Sequence, residues 1–192
     1  MSTKTICIYG ASSENIAEEY KDAAFECGQL IAAAGADLVC GGGKAGLMRC
    51  AIDGVLSRGG RAVGVLPEFM VRNEWQHPQL SEMLVASDMH SRKKSMATMS
   101  TGVIALPGGV GTLEELLEII TWRKLNIYSG QIVILNIGGF FDSLLQMLER
   151  TVEQGFMHPS HRMLWRVAST PAQAVSMSLE PDSHGPFDQT IS

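Results

Sequence analysis

The chain has 192 residues, of which 45% are hydrophobic and 18% charged, as in an ordinary globular domain. A net charge of −5 argues against a general nucleic-acid or anionic-membrane surface. The first residues lack the apolar core of a signal peptide, and no apolar run is long enough to span a bilayer. We expect one domain over residues 1–179 and a disordered tail over 180–192, where Pro, Gly, Ser and Asp dominate.

Short apolar runs predict seven strands, at residues 5–9, 37–40, 61–66, 83–86, 103–106, 131–136 and 166–169. Helical periodicity predicts helices at 15–34, 45–57, 89–99, from 112 onward, at 141–154 and briefly from 171. Residues 68–79 are polar and predict an irregular loop. This alternation predicts an α/β fold, Rossmann-like and doubly wound, with a mainly parallel sheet and helices on both faces.

The four cysteines are scattered without a C-x-x-C pair, which favours reduced thiols in a cytoplasmic protein. His158 and His161 flank Pro159, but no acidic or cysteine partners stand nearby. We therefore expect no metal site.

Three predicted strands end in glycine, at Gly10, at residues 41–43 and at residues 108–111. Ligands of doubly wound sheets bind beyond the carboxyl ends of the strands, where the strand order reverses. One such turn could simply permit a tight connection, but three together predict a shared nucleotide-sized crevice. Residues 41–46 contain G-x-G-x-x-G, yet Arg61 stands about twenty residues later, where an acid would hold a dinucleotide ribose. A mononucleotide therefore fits better than NAD.

The stretch from residue 102 to 122 joins a buried strand, a glycine turn and a helix. Pro107 ends the strand, and the helical period begins at Thr112. A helix N-terminus following glycines binds anions, above all phosphate. Glu114 and Glu115 fall in the predicted first turn, where they either stabilise the helix or take part in chemistry.

A basic run, Arg92-Lys-Lys94, lies on the helix that precedes this strand. An arginine there could bind a phosphate or the ribose hydroxyls in a bidentate manner. We expect Arg92 and Lys93 to serve the crevice and Lys94 to be a solvated charge.

Three segments together resemble the LOG ("lonely guy") family of cytokinin riboside 5′-monophosphate phosphoribohydrolases, long mislabelled as lysine decarboxylases. They are Pro107-Gly-Gly-Val-Gly-Thr-Leu-Glu-Glu115, Met89-His-Ser-Arg-Lys93 and Gly41-Gly-Gly with Gly46-Leu-Met48. The resemblance extends from Ile6 to about Met157. Lys44 and Arg49 depart from the family pattern and could alter which base or phosphate is accepted.

The resemblance implies hydrolysis of the N-glycosidic bond of a nucleoside 5′-monophosphate, AMP or a cytokinin ribotide, without a cofactor or metal. It places the catalytic acid at Glu115, with Glu114 as the fallback, and the catalytic arginine at Arg92. The implied substrate contacts are Lys93, Gly108, Gly109, Val110, Gly111, Thr112, Glu114, Thr121, Gly42, Gly43 and Met89.

Glycosidic cleavage builds positive charge on the ribose, which an ionised carboxylate at Glu115 would stabilise. The neighbouring cations and helix N-terminus predict a low pKa for Glu115. Glu68 and Glu74, in the predicted loop, are candidates to close over the base or ribose.

Two other functions compete with hydrolysis. A non-catalytic nucleotide-binding sensor or carrier could use the same crevice, and turnover would distinguish it. A pyridoxal-phosphate decarboxylase would need a Schiff-base lysine, for which Lys44 is the only lysine in a glycine loop. The apolar helix carrying Trp122 and the Met-rich helix before it, together with the family, favour a homodimer. The alternative is that both helices pack on their own sheet. No nucleic-acid or membrane partner is expected.

Overall fold

A seven-stranded parallel sheet organises the protein. The computed structural model describes residues 4–182 and residue 187. The strands are β1 Thr5–Tyr9, β2 Asp37–Cys40, β3 Ala62–Pro67, β4 Glu82–Ala86, β5 Gly102–Ala105, β6 Gln131–Leu135 and β7 Arg166–Ala168. Their order across the sheet is β4-β3-β2-β1-β5-β6-β7. The α-helices are α1 Glu18–Ala33, α2 Gly46–Ser57, α3 Glu68–Arg72, α4 Met89–Met99, α5 Val110–Lys124, α6 Asp142–Glu153 and α7 Pro171–Leu179. Short 3₁₀-helices span Ile137–Gly139 and Pro159–Leu164. The predicted doubly wound α/β fold is confirmed.

Both faces of the sheet are covered, which is why its central strands are apolar without alternation. Ile6 and Ile8 of β1 point into a cluster with α1, α2 and α7. Cys7 and Tyr9 of the same strand point into a second cluster with α4 and α5. The period-two geometry of a strand thus distributes consecutive apolar residues between two cores.

The strand order reverses at β1, which pairs with β2 on one side and β5 on the other. At this point the turns after β1 and β5 meet, because the amide of Ala11 donates to the Pro107 carbonyl at 3.1 Å. The amide of Leu47, in the first turn of α2, donates to the Ala11 carbonyl at 2.8 Å. The three predicted glycine turns therefore assemble at the switch point.

Two helix starts differ from the sequence prediction by more than one residue, and one predicted loop contains a helix. α5 begins at Val110 rather than Thr112, so Glu114 and Glu115 lie in its second turn. α1 begins only at Glu18. The segment expected to be irregular contains the short helix α3, closed by a turn in which Glu74 adopts a left-handed φ of 55°. Local propensity did not indicate this helix, because it is too short to show a period.

The predicted disordered tail falls mostly outside the described residues and stays a prediction. Within it, Asp182 forms an ion pair with Arg123 at 3.1 Å. Asn126 exchanges two hydrogen bonds with the backbone of Phe187, of 3.1 and 2.9 Å. None of the described helices combines the length and hydrophobicity needed to cross a membrane.

Candidate active site

A cleft of about 640 Å³ opens beyond the carboxyl ends of the central strands. The turns after β1, β2 and β5 supply three sides of it, and the start of α4 and the segment after β3 supply the rest. The cleft therefore occupies the place where doubly wound sheets bind ligands. Nine of the predicted site residues line it: Gly43, Met89, Arg92, Gly109, Val110, Gly111, Thr112, Glu114 and Glu115.

The N-terminus of α5 faces this cleft without a side-chain cap. Its N-cap is Gly109, and no side chain accepts from the first amides of the helix. A Cβ placed on Gly109 or Gly111 would meet no protein atom within 4 Å. The first-turn amides are thus exposed to a ligand, and the helix dipole favours an anionic one.

Arg92 and Glu115 form an ion pair at the cleft wall. Nη1 of Arg92 donates to Oε1 of Glu115 at 3.0 Å, and the two side chains are only 7% and 13% exposed. Nε of Arg92 donates to the Val65 carbonyl at 3.0 Å, which fixes the guanidinium plane. The sequence hypothesis that these two residues meet in the crevice agrees with this placement.

The pKa prediction for Glu115 was wrong. Burial raises the pKa of Glu115 above its ordinary value of 4.5, and the lowering effect of Arg92 only partly offsets it. The charge of Glu114 raises the pKa further. The neighbouring cations are evident in the sequence, but the loss of solvent around Glu115 is not, because burial depends on packing between distant elements.

Lys93 does not line the cleft. Its buried ammonium pairs with Glu114 and, at 3.1 Å, with Glu118, both on α5. Burial disfavours the charged form of Lys93, but these hydrogen bonds outweigh it and raise its pKa. The expectation of a direct phosphate contact is therefore not supported by its position; Lys93 joins α4 to α5 instead.

Three further predicted contacts also lie outside the cleft lining. Gly42 packs under β3, where a Cβ would stand 2.9 Å from the Cα of Gly64. Gly108 lies beneath the Thr112 side chain. Thr121 is exposed and donates from its hydroxyl to the Leu117 carbonyl at 2.8 Å. Gly42 and Gly108 thus allow close packing beneath the cleft, and Thr121 lies on an exposed part of α5 outside it.

The lining also includes residues that the sequence did not single out as substrate contacts. Polar ones come from the turn after β1, and apolar ones from α2 and the end of β3 onward: Ser12, Ser13, Met48, Leu66, Met70 and Trp75. Lys44, which the sequence linked to the choice of base or phosphate, lines the cleft as well. A tryptophan inside a polar segment was the one available signal for the apolar wall.

The other residues singled out in the sequence lie elsewhere. Arg49 pairs with Asp53 at 3.5 Å and with Glu14 at 3.8 Å, away from the cleft lining. Glu68 pairs with Arg72 at 2.6 Å, and neither Glu68 nor Glu74 lines the cleft. No cluster of potential metal ligands occurs among residues 4–182 and 187.

Comparison with known proteins identifies the family. The family model described as "Possible lysine decarboxylase" matches residues 48–177. A probable cytokinin riboside 5′-monophosphate phosphoribohydrolase of Oryza sativa subsp. japonica is 40% identical over 172 residues, covering 90% of this chain and 70% of the relative. A cytokinin riboside 5′-monophosphate phosphoribohydrolase of Arabidopsis thaliana is 41% identical over 169 residues, covering 88% and 78% of the two chains.

Solved structures show the same fold. The molybdenum cofactor binding protein from Rippkaea orientalis has a TM-score of 0.71 and 23% identity, over 92% of this chain and 95% of that chain. The molybdenum cofactor carrier protein from Chlamydomonas reinhardtii has a TM-score of 0.70 and 24% identity, over 91% and 95%. At these identities the likeness concerns the fold alone. On sequence, the chain belongs to the LOG family of cytokinin riboside 5′-monophosphate phosphoribohydrolases.

Proposed function

We propose that this protein hydrolyses the N-glycosidic bond of a nucleoside 5′-monophosphate, AMP or a cytokinin ribotide, giving free base and ribose 5-phosphate. The observation that carries the proposal is the Arg92–Glu115 ion pair, 3.0 Å long, in a cleft into which an uncapped helix N-terminus opens. The names of the relatives support the same reaction.

The phosphate binds at the N-terminus of α5. The amides of Val110, Gly111 and Thr112 have no partner within the helix and suit phosphate oxygens. Bound there, the phosphate orients the sugar, so that binding energy remote from the reacting carbon lowers the barrier.

Glu115 acts on the anomeric carbon. As the bond to the base breaks, positive charge develops on the ribose, and the ionised carboxylate stabilises it. Its raised pKa makes Glu115 a stronger base than an exposed carboxylate, which suits it to take a proton from the attacking water. The water oxygen bonds to the anomeric carbon as the bond to the base breaks, and the proton passes to the departing base, which leaves as a neutral molecule. Arg92 holds the carboxylate in its ionised form and fixes its direction.

The test is incubation with AMP and with N6-isopentenyladenosine monophosphate, followed by chromatography. Free base and ribose 5-phosphate in equal amounts support the proposal. Thermal stabilisation by either nucleotide without release of base would refute it and support the sensor or carrier alternative.

We also propose a homodimer that buries the outer face of α5. An open groove beside the cleft is lined by Val110, Leu113, Glu114, Leu117, Glu118, Thr121 and Trp122. Val110 is 84% exposed and Leu117 42%, and apolar exposure of this kind marks interaction surfaces. Sedimentation equilibrium should give a dimer, and Leu117→Asp a monomer; a monomeric parent chain would contradict the proposal.

We further propose that residues 1–179 act as one nucleotide-binding domain in the reducing cytoplasm. The continuous seven-stranded sheet supports the first point. The free state of the four cysteines supports the second. Limited proteolysis that leaves residues 1–179 intact, and fractionation with a cytoplasmic marker, are the expected results.

A further inference from the structure

The cleft has an apolar wall that the chemistry at Glu115 does not use. Met48 of α2, Leu66 of β3, and Met70 and Trp75 after it line the cleft. Trp75 is 48% exposed, and Phe69 packs edge-on against it with ring centroids 6.3 Å apart. Removing an aromatic ring from water is energetically favourable. A ring that stays half-exposed in a cleft therefore suits a ligand that would cover it.

This apolar wall and the proposed phosphate site lie at opposite ends of the cleft, in the direction that crosses the strands. Trp75 follows β3 and its backbone pairs with the turn after β2, whereas the N-terminus of α5 follows β5, on the far side of β1. Two strand spacings, about 10 Å, separate the turns after β2 and β5. A nucleoside monophosphate can therefore lie across the cleft, with its phosphate at α5 and its base against the wall.

Trp75 is fixed to the glycine turn of the cleft. The amide of Lys44 donates to the Trp75 carbonyl at 2.9 Å, and the amide of His77 donates to the Gly42 carbonyl at 2.8 Å. Gly43 and Gln76 form an antiparallel bridge between these two bonds. The tryptophan backbone is therefore paired with the same turn that lines the cleft, which preorganises its ring.

His77 anchors this pairing to α2. Its buried Nδ1 accepts the amide of Gln79 at 3.1 Å, so the ring proton is assigned to Nε2. Nε2 then donates to Oδ1 of Asp53 at 3.0 Å. The segment carrying Trp75 is thus attached on two sides, and its position does not depend on a ligand.

We propose that Trp75 is the specificity-determining residue of this site, against which the purine and an apolar substituent on its exocyclic amine pack. The inference rests on the proposed function and adds the residue by which this chain distinguishes bases. Base–aromatic stacking supplies part of the affinity. The apolar wall discriminates a substituted from an unsubstituted adenine by the added apolar contact.

The test compares Trp75→Ala and Trp75→Phe on AMP and N6-isopentenyladenosine monophosphate. Trp75→Ala should lower kcat/KM for the isopentenyl substrate by about ten- to hundredfold, mainly through KM, and for AMP by less. Trp75→Phe should retain most of the preference. Ribose 5-phosphate reports on the phosphate end of the site, so its inhibition constant should be unchanged in both variants. An unchanged constant also shows that both variants fold.

A control variant and a binding readout complete the design. Phe156→Ala removes an aromatic ring that is 80% exposed and outside the cleft, and its substrate ratio should equal the parent's. Nucleotide should quench tryptophan emission in the parent but not in Trp75→Phe, because Trp122 and Trp165 do not line the cleft.

Two failures are distinguishable. If the parent chain releases no base from either nucleotide, the proposed hydrolysis fails. If the parent does release base, but Trp75→Ala lowers kcat/KM for both substrates by the same factor or for neither, the role of Trp75 is refuted.

Discussion

Gly41 and Arg92 are in such close contact that a methyl group on the glycine would lie 2.0 Å from Nη2 of the arginine. The end of β2 therefore packs directly against the guanidinium of Arg92. Nε of Arg92 donates to the Val65 carbonyl, and its Nη1 donates to Glu115. The missing side chain at Gly41 is what allows Arg92 to reach the acid.

Gly41→Ala should therefore displace Arg92. We expect overpacking to lower the free energy of unfolding by about 1–3 kcal/mol, and kcat/KM to fall by about a hundredfold because the ion pair is misplaced. Gly111→Ala is the matched control for stability, since its added carbon meets open space. Its free energy of unfolding should be unchanged or higher by up to about 1 kcal/mol. Equal melting curves for Gly41→Ala and the parent would contradict the account.

Adjacent lysines on α4 should differ sharply in their contribution to stability. Lys93→Met removes the buried partner of Glu114 and Glu118. Because Glu114 is 52% exposed and can be rehydrated, we expect a loss of about 1–2 kcal/mol, less than for a fully buried pair. Lys94 is exposed, and Lys94→Met should change stability by no more than about 0.5 kcal/mol. Denaturant unfolding measures both, and indistinguishable variants would refute the assigned role of Lys93.

The pH dependence of kcat/KM should reflect the pKa of Glu115, which burial raises. If the reaction needs the ionised carboxylate, activity falls as pH drops through the pKa of Glu115, so the midpoint of the acid limb lies above pH 4.5. Glu114→Gln should move that midpoint to lower pH, because the charge of Glu114 helps to raise the pKa of Glu115. A parent midpoint at or below 4.5, or no shift in the variant, would argue against Glu115 as the titrating group.

The cysteines should be poorly reactive in the folded protein. Burial raises the pKa of Cys27 to about 12 and that of Cys40 to about 11, and it raises that of Cys7 well above its ordinary value. Only Cys50 is partly accessible, and its pKa is also raised. An aromatic disulfide reagent should thus titrate no more than one thiol in the native chain and all four in denaturant. Rapid modification of several native thiols would contradict this burial.

The sequence predicted the strands and glycine turns well, because each is a local pattern. The apolar run at residues 103–106 and the glycines after it are examples, because the residues that determine their structure are adjacent in the sequence. What the motif could not show is tertiary. Lys93 pairs with an acid 21 positions further along the chain, and the burial of Glu115 arises from packing between elements. The position of Trp75 depends on backbone pairing with the turn after β2, for which a single sequence has no signal.

The central claim is that Glu115 is the group that drives cleavage of the glycosidic bond. The most direct measurement is the single-turnover rate of base release by Glu115→Gln at saturating nucleotide, beside Glu114→Gln. We predict that Glu115→Gln binds nucleotide as the parent does but releases base at least about a hundredfold more slowly, whereas Glu114→Gln loses less than about tenfold. Base release by Glu115→Gln at the parent rate would contradict the account.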